Sequence, residues 1–138
     1  MPLDQLDHYT IRTTKLDETR DFFVDVLGLV DGDRPPFDFP GNWLYLGDRP
    51  VVHLVGIDEN DKSGLVGYLG DVDLEELKGG GAVDHLAFRC TDIDDIKQRL
   101  TSHGIKWRER TVPILDLFQI FIEEPNEITV ELNFYNYD

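Results

Sequence analysis

The sequence contains one strand pattern twice. The segments "DHYTIRT" at residues 7–13 and "DHLAFRC" at residues 84–90 each begin with Asp-His and carry an Arg four residues after the His. A shift of 77 residues superimposes the two segments, and the same shift places Thr14 on Thr91. Such internal similarity indicates that one supersecondary unit occurs twice, and each unit can cover an apolar face of the other. The repeat therefore predicts two modules of the same architecture.

Both modules predict the same order of elements. A strand of alternating polarity is followed by apolar residues at helical spacing and then by three further strands. Gly28 and Gly104 stand where a glycine would end each helix, and Thr14 and Thr91 predict N-caps of the capping-box kind. The sequence thus predicts one α+β domain over residues 1–138, with module one at 5–56, a linker at 57–81 that includes a short helical turn at "DLEELK", and module two at 82–135.

The composition restricts the classes of partner. The chain has 13 basic and 28 acidic residues and a formal net charge of −15, which repels the phosphate backbone of nucleic acids. No apolar run approaches the ~18 residues of a membrane span, and the N-terminal residues lack the features of a secretory signal. A single cysteine, Cys90, is typical of a reducing compartment. These observations predict a cytoplasmic protein that binds neither nucleic acid nor membrane.

Four side chains that can bind a metal occupy equivalent places in the two modules. His8 and His53 fall on the first and last predicted strands of module one, and His85 and Glu131 fall on those of module two, at spacings of 45 and 46 residues. Pairing of the modules about a pseudo-twofold axis would bring all four together. Imidazoles and a carboxylate suit Zn, Mn, Co, Ni or Fe(II). The sequence therefore predicts one divalent metal per site.

Each of these side chains could instead have a structural role, and the sequence supports metal binding more strongly for some than for others. A single histidine on a strand is more often a packing or surface residue than a ligand. Glu131 is more informative, because a carboxylate without a partner is costly in the apolar strand "ITVELNF". His103 precedes Gly104 at the end of a predicted helix, where it has a structural interpretation. Cys90 alternates with His85 and is interpreted as a packing residue.

Four further residues are candidates for contacts with a substrate. Trp43 and Tyr45 share one face of the strand that precedes His53, where they form either an aromatic wall of the site or ordinary core packing. Arg12 and Arg89 share the faces of the two repeated histidines. They either meet an anionic substrate or form ion pairs with some of the many acidic residues.

With these features the sequence resembles the vicinal oxygen chelate superfamily, which includes glyoxalase I, extradiol dioxygenases, fosfomycin-resistance enzymes, methylmalonyl-CoA epimerase and bleomycin-resistance proteins. The resemblance covers nearly the whole chain and is carried by "LDHYTIRTTKLDETRDFFVDVLGL", "VDHLAFRCTDIDDIKQRLTSHGI" and "EEPNEITVELNF". It implies two paired βαβββ modules that form a cup-shaped, partly open mixed sheet around a metal. It also implies a small-molecule substrate and a homodimer.

The resemblance implies ligands at His8, His85 and Glu131, which match the two-His-one-carboxylate set of the dioxygenases and fosfomycin enzymes. The fourth family position is Glu in glyoxalase I and Gln in the epimerase, and here it is His53. Whether His53 is a ligand or a residue behind the ligands stays open. A further departure is Glu127, which replaces the usual Gly, so that Asn126 is predicted to take the left-handed conformation of this turn.

Three functions follow as alternatives. The first is a glyoxalase-, isomerase- or lyase-like reaction in which the metal stabilises an enolate or alkoxide, with metal-bound hydroxide, Glu131 or His53 as the base. The second is an extradiol dioxygenase in which Fe(II) binds a catechol and oxygen, with His53 as an acid-base residue. The third belongs to another class, namely a non-catalytic protein that sequesters a cationic antibiotic in the manner of the bleomycin-resistance proteins.

Overall fold

A computed structural model describes residue 2 and residues 4–58 and 78–137 of the chain. These residues belong to two compact units, the first within residues 1–77 and the second from Lys78 onward. Of the predicted linker turn "DLEELK", every residue but Lys78 lies outside the described residues. In the described ranges, no helix is both long and apolar enough to cross a membrane.

The first unit contains one four-stranded sheet and one helical segment. Strands β1 and β4 are parallel neighbours, and β3 is antiparallel to both β4 and β2, which gives the order β1-β4-β3-β2. In chain order the elements are β1 (Tyr9–Thr13), α1 (Leu16–Asp21), a π-helical turn (Phe22–Val26), β2 (Val30–Gly32), β3 (Gly41–Leu46) and β4 (Arg49–Gly56).

The second unit repeats this topology. Its strand order is β5-β8-β7-β6, with β5 parallel to β8 and the other neighbours antiparallel. In chain order the elements are β5 (His85–Arg89), α2 (Ile93–Ser102), β6 (Arg108–Val112), a 3-10 turn (Pro113–Leu115), β7 (Leu117–Glu123) and β8 (Thr129–Tyr135). The predicted α+β class with two βαβββ modules is confirmed.

Each sheet buries one of its faces in the core of its own unit. Alternate residues of a strand point to opposite faces. The buried side chains on this face are mainly apolar, whereas the opposite face of the second sheet also buries the polar Gln119, Glu131 and Asn133. Burying one of the apolar side chains contributes roughly 1.5–3 kcal/mol to folding. In the first unit the core includes Ile11, Leu44, Val52 and Leu54 with Phe22, Phe23 and Val26 of the helical segment, and in the second it includes Ile120, Ile122, Val130 and Leu132 with Leu100 of α2.

The predicted helix ends are correct at the C-termini and wrong at the N-termini. Gly28 and Gly104 adopt φ values of 84° and 66°, as glycines that end helices do. The N-cap of α2 is Asp92 rather than Thr91, and its side chain accepts a hydrogen bond of 3.1 Å from the backbone N–H of Asp95. In the first unit the N-cap is Lys15 rather than Thr14, and it makes no side-chain cap hydrogen bond.

The turn between β7 and β8 also differs from the prediction. The left-handed residue is Glu127, at φ 65°, and not Asn126. The turn is organised by the buried carboxylate of Glu124, which accepts hydrogen bonds of 2.7 Å and 3.0 Å from the backbone N–H groups of Asn126 and Ile128. These bonds hold the chain in a conformation that costs a non-glycine residue roughly 1–2 kcal/mol.

Candidate functional site

The strand register makes His53 and Glu131 equivalent residues of the two units. His53 is paired with Thr10 of β1, and Glu131 is paired with Ala87 of β5. Both partners follow a repeated histidine by two residues, since His8 precedes β1 directly and His85 begins β5. The repeat seen in the sequence is therefore also a repeat of cross-strand pairing, although His8 lies one residue before the strand on which it was predicted.

In the second unit, His85 and Glu131 are in contact. The Nε2 atom of His85 lies 2.8 Å from Oε2 of Glu131. Glu131 is 7% exposed, and its other carboxylate oxygen accepts a short hydrogen bond from Nε2 of Gln119. Gln119 also donates to Oδ1 of Asn133 at 3.0 Å. The buried carboxylate is thus satisfied by polar partners on two neighbouring strands, β5 and β7, as the cost of burying a charge requires.

Both repeated histidines are held by the aspartate that precedes them. The Nδ1 atom of His8 lies 2.6 Å from Oδ2 of Asp7, and that of His85 lies 2.8 Å from Oδ2 of Asp84. The hydrogen bond to Asp84 raises the pKa of His85, and the Glu131 carboxylate adds to this. The hydrogen bond to His8 lowers the pKa of Asp7. A carboxylate on Nδ1 fixes the ring and leaves Nε2 as the nitrogen for a ligand.

In the first unit, three rings form a stack. The His53 ring lies 3.7 Å from that of His8 and 4.0 Å from that of Trp43, and all are nearly parallel. The Nε2 atom of His53 is 3.0 Å from the carbonyl oxygen of Pro50, to which it donates. Burial lowers the pKa of His53, and the neighbouring His8 lowers it further. The Nε2 atom of His53 is therefore bonded to a backbone carbonyl, whereas that of His85 faces a carboxylate, and the pKa values of the two rings are shifted in opposite directions.

The other three residues that were predicted to contact a substrate each have different neighbours. Tyr45 donates a hydrogen bond of 2.7 Å from its hydroxyl to the carbonyl of Asp33. Arg89 places its guanidinium 4.5 Å from the centre of the Tyr135 ring, and Arg12 lies on β1 opposite Val55. Within residues 4–58 and 78–137, neither arginine forms an ion pair.

The two pairs of candidate ligands differ in how well they fit a metal. The 2.8 Å separation of His85 Nε2 and Glu131 Oε2 is close to the roughly 3 Å expected for two atoms on one Zn²⁺ with bonds of about 2 Å. Stacked imidazoles such as those of His8 and His53 cannot both direct an in-plane lone pair at one ion. His85 and Glu131 therefore fit one metal ion together, whereas His8 and His53 in this conformation do not.

A complete ligand set would draw on both units. Considering the described part of the chain alone, no three His, Cys, Asp or Glu side chains are grouped closely enough to hold a metal ion. The predicted four-residue site takes two residues from each unit, and its assembly stays a prediction. The structure shows which neighbours hold the two candidate residues of each unit, and these neighbours differ between the units.

Sequence reasoning missed three residues of this arrangement. Asp7 and Asp84 were visible in the repeat as members of the Asp-His pairs, and the signal was their position directly before each histidine. Gln119 gave no such signal, because a glutamine in an apolar strand reveals its partner only when the register with β8 is known. Cys90 is half-buried, and burial raises the pKa of its thiol to about 11, while its interpretation as a packing residue stays a prediction.

Comparison with known proteins defines the family. The family model described as Glyoxalase/Bleomycin resistance protein/Dioxygenase superfamily matches residues 5–132, and the chain therefore belongs to this superfamily. A curated relative is "Glyoxylase I 4" of Arabidopsis thaliana, which is 24% identical over 133 residues that cover 94% of this chain and 70% of the relative. The resemblance found in the sequence is thus confirmed at the level of the superfamily.

Two solved structures illustrate the range of proteins with this fold. Lactoylglutathione lyase from Agrobacterium tumefaciens has a TM-score of 0.67 and 19% identity, covering 97% of this chain and 96% of that one. An antibiotic-binding protein from Streptomyces sp. CB03234 has a TM-score of 0.65 and 16% identity, covering 98% of both chains. Because one is named as an enzyme and the other as a binding protein, the choice between these functions depends on the side chains of this chain.

Proposed function

We propose that this chain is a metal-dependent enzyme of the vicinal oxygen chelate type that acts on a small molecule, with a glyoxalase-, isomerase- or lyase-like reaction. The observation that supports it most strongly is the His85–Glu131 pair, in which a buried carboxylate and an imidazole nitrogen lie 2.8 Å apart. His8 is the third residue that would hold the divalent metal, which is one of Zn, Mn, Co, Ni or Fe(II). The metal would stabilise an oxyanion that develops on the substrate.

The roles of the surrounding side chains follow from their contacts. Gln119 holds one oxygen of Glu131 and leaves the other directed at His85. Asp7 and Asp84 hold the Nδ1 atoms of the two histidines, so that each ring presents Nε2. Such partners orient ligands and raise their basicity. These three residues prepare the ligand atoms before a metal arrives.

His53 is proposed to be the residue that moves a proton. Its lowered pKa keeps the ring neutral near neutral pH, and the bond from Nε2 to the Pro50 carbonyl leaves Nδ1 as the atom that accepts a proton. A base whose pKa lies near the working pH is effective in proton transfer next to a carbonyl. Trp43, stacked on His53 at 4.0 Å, would hold a planar part of the substrate beside this base.

A second candidate function is sequestration of a ligand without chemistry. It is favoured by the Trp43–His53–His8 stack, which is a surface suited to a flat molecule. The net charge of −15 would favour a cationic ligand. In this function the metal has no part, and the His85–Glu131 pair would be a structural ion pair.

Metal content and chelation separate the two functions. Elemental analysis of the purified protein is expected to give one divalent metal per site, and its removal is expected to abolish turnover in assays with methylglyoxal plus a thiol or with catechols under oxygen. Activity with the first substrates would support the lyase-like reaction, and activity with catechols would support the Fe(II) dioxygenase. A protein that binds none of the five metals tightly contradicts the enzyme proposal. Ligand binding that survives complete chelation would then favour sequestration.

We further propose that the protein is a homodimer, as the superfamily resemblance implies. Two units that each expose the edge of a four-stranded sheet offer surfaces for pairing with a second chain. The molar mass in solution, measured by light scattering, tests this proposal. A mass equal to that of one 15.9 kDa chain at all concentrations contradicts it.

A further inference from the structure

Two arginines on the edge strand β6 face the same side of the sheet as Glu131. Arg108 is directly opposite Phe121 of β7, and Phe121 is directly opposite Glu131 of β8. Arg110 is opposite Gln119 in the same register. Since directly opposite residues of paired strands share a face, both guanidiniums lie on the face that carries the candidate ligands.

The guanidinium groups of both arginines lie close to one aromatic ring. The guanidinium carbon of Arg108 lies 4.9 Å from the centre of the Phe121 ring, and that of Arg110 lies 5.3 Å from it. Arg110 also donates a hydrogen bond of 2.7 Å from Nε to Oε1 of Gln119. The strand thus places two exposed like charges on one side of the sheet, where they add to one positive potential.

Neither arginine has an acidic partner among the residues that the structure describes. The ion pairs of the second unit involve Lys97, Arg99 and His85 instead. This is unexpected in a chain with 28 acidic residues and 13 basic ones. Glu109, which lies between the two arginines in sequence, points to the other face and pairs with Lys97 of α2 at 3.3 Å.

A cavity of about 450 Å³ opens beside Arg108. Its walls include Lys106, Trp107 and Phe121 together with one acidic residue, Glu123, and it reaches Thr129. Thr129 is the cross-strand partner of His85, so the cavity connects the cationic end of β6 with the end of the sheet where His85 lies. Its volume is within the range of small-molecule sites.

We propose that this cavity binds an anionic group of the substrate, such as a carboxylate, phosphate or phosphonate, through Arg108 and Lys106, with Arg110 adding positive charge. The proposal rests on the proposed function, because it assigns the substrate class of the same sheet face. Neighbouring strands are about 4.8 Å apart, so β6 and β8 are separated by roughly twice that distance. The anionic group would therefore be joined to the reacting atoms by a short spacer.

Fluorescence of Trp107 provides the test, because this residue lines the cavity. The chain has two tryptophans, and Trp43→Phe leaves Trp107 as the reporter. Metal-free protein in this background is titrated with phenylphosphonate and, separately, with benzyl alcohol. We expect phenylphosphonate to bind and to bind less tightly as salt increases, and benzyl alcohol to leave the emission unchanged.

Substitutions of Arg108 test whether this residue contacts the bound anion. Arg108→Gln is expected to weaken phenylphosphonate binding about tenfold or more, as loss of a charged hydrogen bond does, and Arg108→Lys to restore part of it. Arg99→Gln removes the same charge from α2, where Arg99 pairs with Asp95 at 2.9 Å, and serves as the matched control. Arg108 is exposed, and circular dichroism of each variant verifies that it folds.

The proposal is overturned if Arg108→Gln binds phenylphosphonate as well as the control does, or if benzyl alcohol binds equally well. An Arg108→Gln variant that aggregates but keeps anion binding shows that the arginine protects the edge strand, and this result also overturns it. Metal affinity is measured on the same variants. Loss of anion binding with unchanged metal affinity supports the inference, whereas absence of metal binding with intact anion binding contradicts the proposed function alone.

Discussion

The two sheets have the same topology and register but carry different chemistry on equivalent strands. In the second unit, Glu131 is buried and bonded to Gln119 and His85. In the first unit, the equivalent His53 lies between two rings and is bonded to a backbone carbonyl. The backbone repeat therefore fixes where a functional side chain stands, and the neighbours on adjacent strands fix what it can do.

The difference predicts separate roles for the two units, with metal binding in the second and proton transfer by His53 in the first. In the proposed function the second unit would supply two ligand atoms, because its residues hold a carboxylate and an imidazole nitrogen 2.8 Å apart. The first unit contributes a single Asp-held histidine and keeps its other one neutral. If this is correct, substitutions at the two equivalent positions will have unequal consequences.

The largest effect is expected at the two equivalent positions themselves. Glu131→Ala should weaken metal binding roughly 100-fold or more, beyond the 10–100-fold typical of residues that support ligands. His53→Ala should change metal affinity by less than about fivefold and should lower turnover instead. Calorimetric titration of both metal-free variants measures this difference. Equal losses of affinity would show that His53 is a ligand and that the units are not divided in this way.

A smaller effect is expected at the aspartates of the repeated pairs. Asp84→Asn removes the negative charge from the Nδ1 side of His85 and should weaken metal binding about tenfold. Asp94→Asn, on the exposed part of α2, removes the same charge and should leave the affinity unchanged. A parallel titration of Asp7→Asn compares the two units. An Asp84→Asn variant with wild-type affinity would mean that this aspartate does not orient the ligand.

The two hairpin turns offer a comparison of stability. The β3–β4 turn has a glycine, Gly47, at φ 66°, whereas the β7–β8 turn has Glu127 at φ 65°. Glu127→Gly should stabilise the protein by about 0.5–1 kcal/mol, since relief of the left-handed conformation exceeds the entropy cost of glycine. Gly47→Ala should destabilise it by about 1 kcal/mol. Urea unfolding measures both, and a destabilised Glu127→Gly would show that this turn is not strained.

The smallest effect is the order in which two histidines titrate. His85 is raised above and His53 is lowered below the ordinary histidine pKa of 6.5. As pH rises, His53 should therefore lose its proton before His85 does. The pair of His85 with its carboxylates contributes stability at low pH that is lost as pH rises through its pKa, whereas neutral His53 contributes stability that is lost as pH falls. NMR titration of metal-free protein gives both values, and the reverse order contradicts the assignment.

The sequence predicted the parts of this account that depend on local patterns. The repeat located both Asp-His pairs and the order of the strands along the chain. A glycine marked the end of each helix. The sequence did not predict the π-helical turn at Phe22–Val26, because the same apolar spacing suits an α-helix. It misplaced the cap at Asp92 and the turn residue at Glu127, because both adopt left-handed conformations that non-glycine residues rarely take.

The contacts around Glu131 were beyond sequence reasoning for a different reason. Whether a carboxylate in an apolar strand is paired depends on which residues stand opposite it, and that depends on the register of β7 and β8. A shift of one residue would move Gln119 to the other face of the sheet. The pattern could therefore identify Glu131 as unusual, but not the glutamine that holds it.

We propose that the Asp-held histidines present Nε2 to a metal while His53 does not. This proposal is tested most directly by NMR of the histidine ring nitrogens during titration of the metal-free protein with Zn²⁺. We expect the Nε2 signals of His8 and His85 to shift with metal while their Nδ1 atoms stay protonated, and Nε2 of His53 to keep its proton. Deprotonation of His53 Nε2 on addition of metal, or unchanged signals for His8 and His85, would contradict the account.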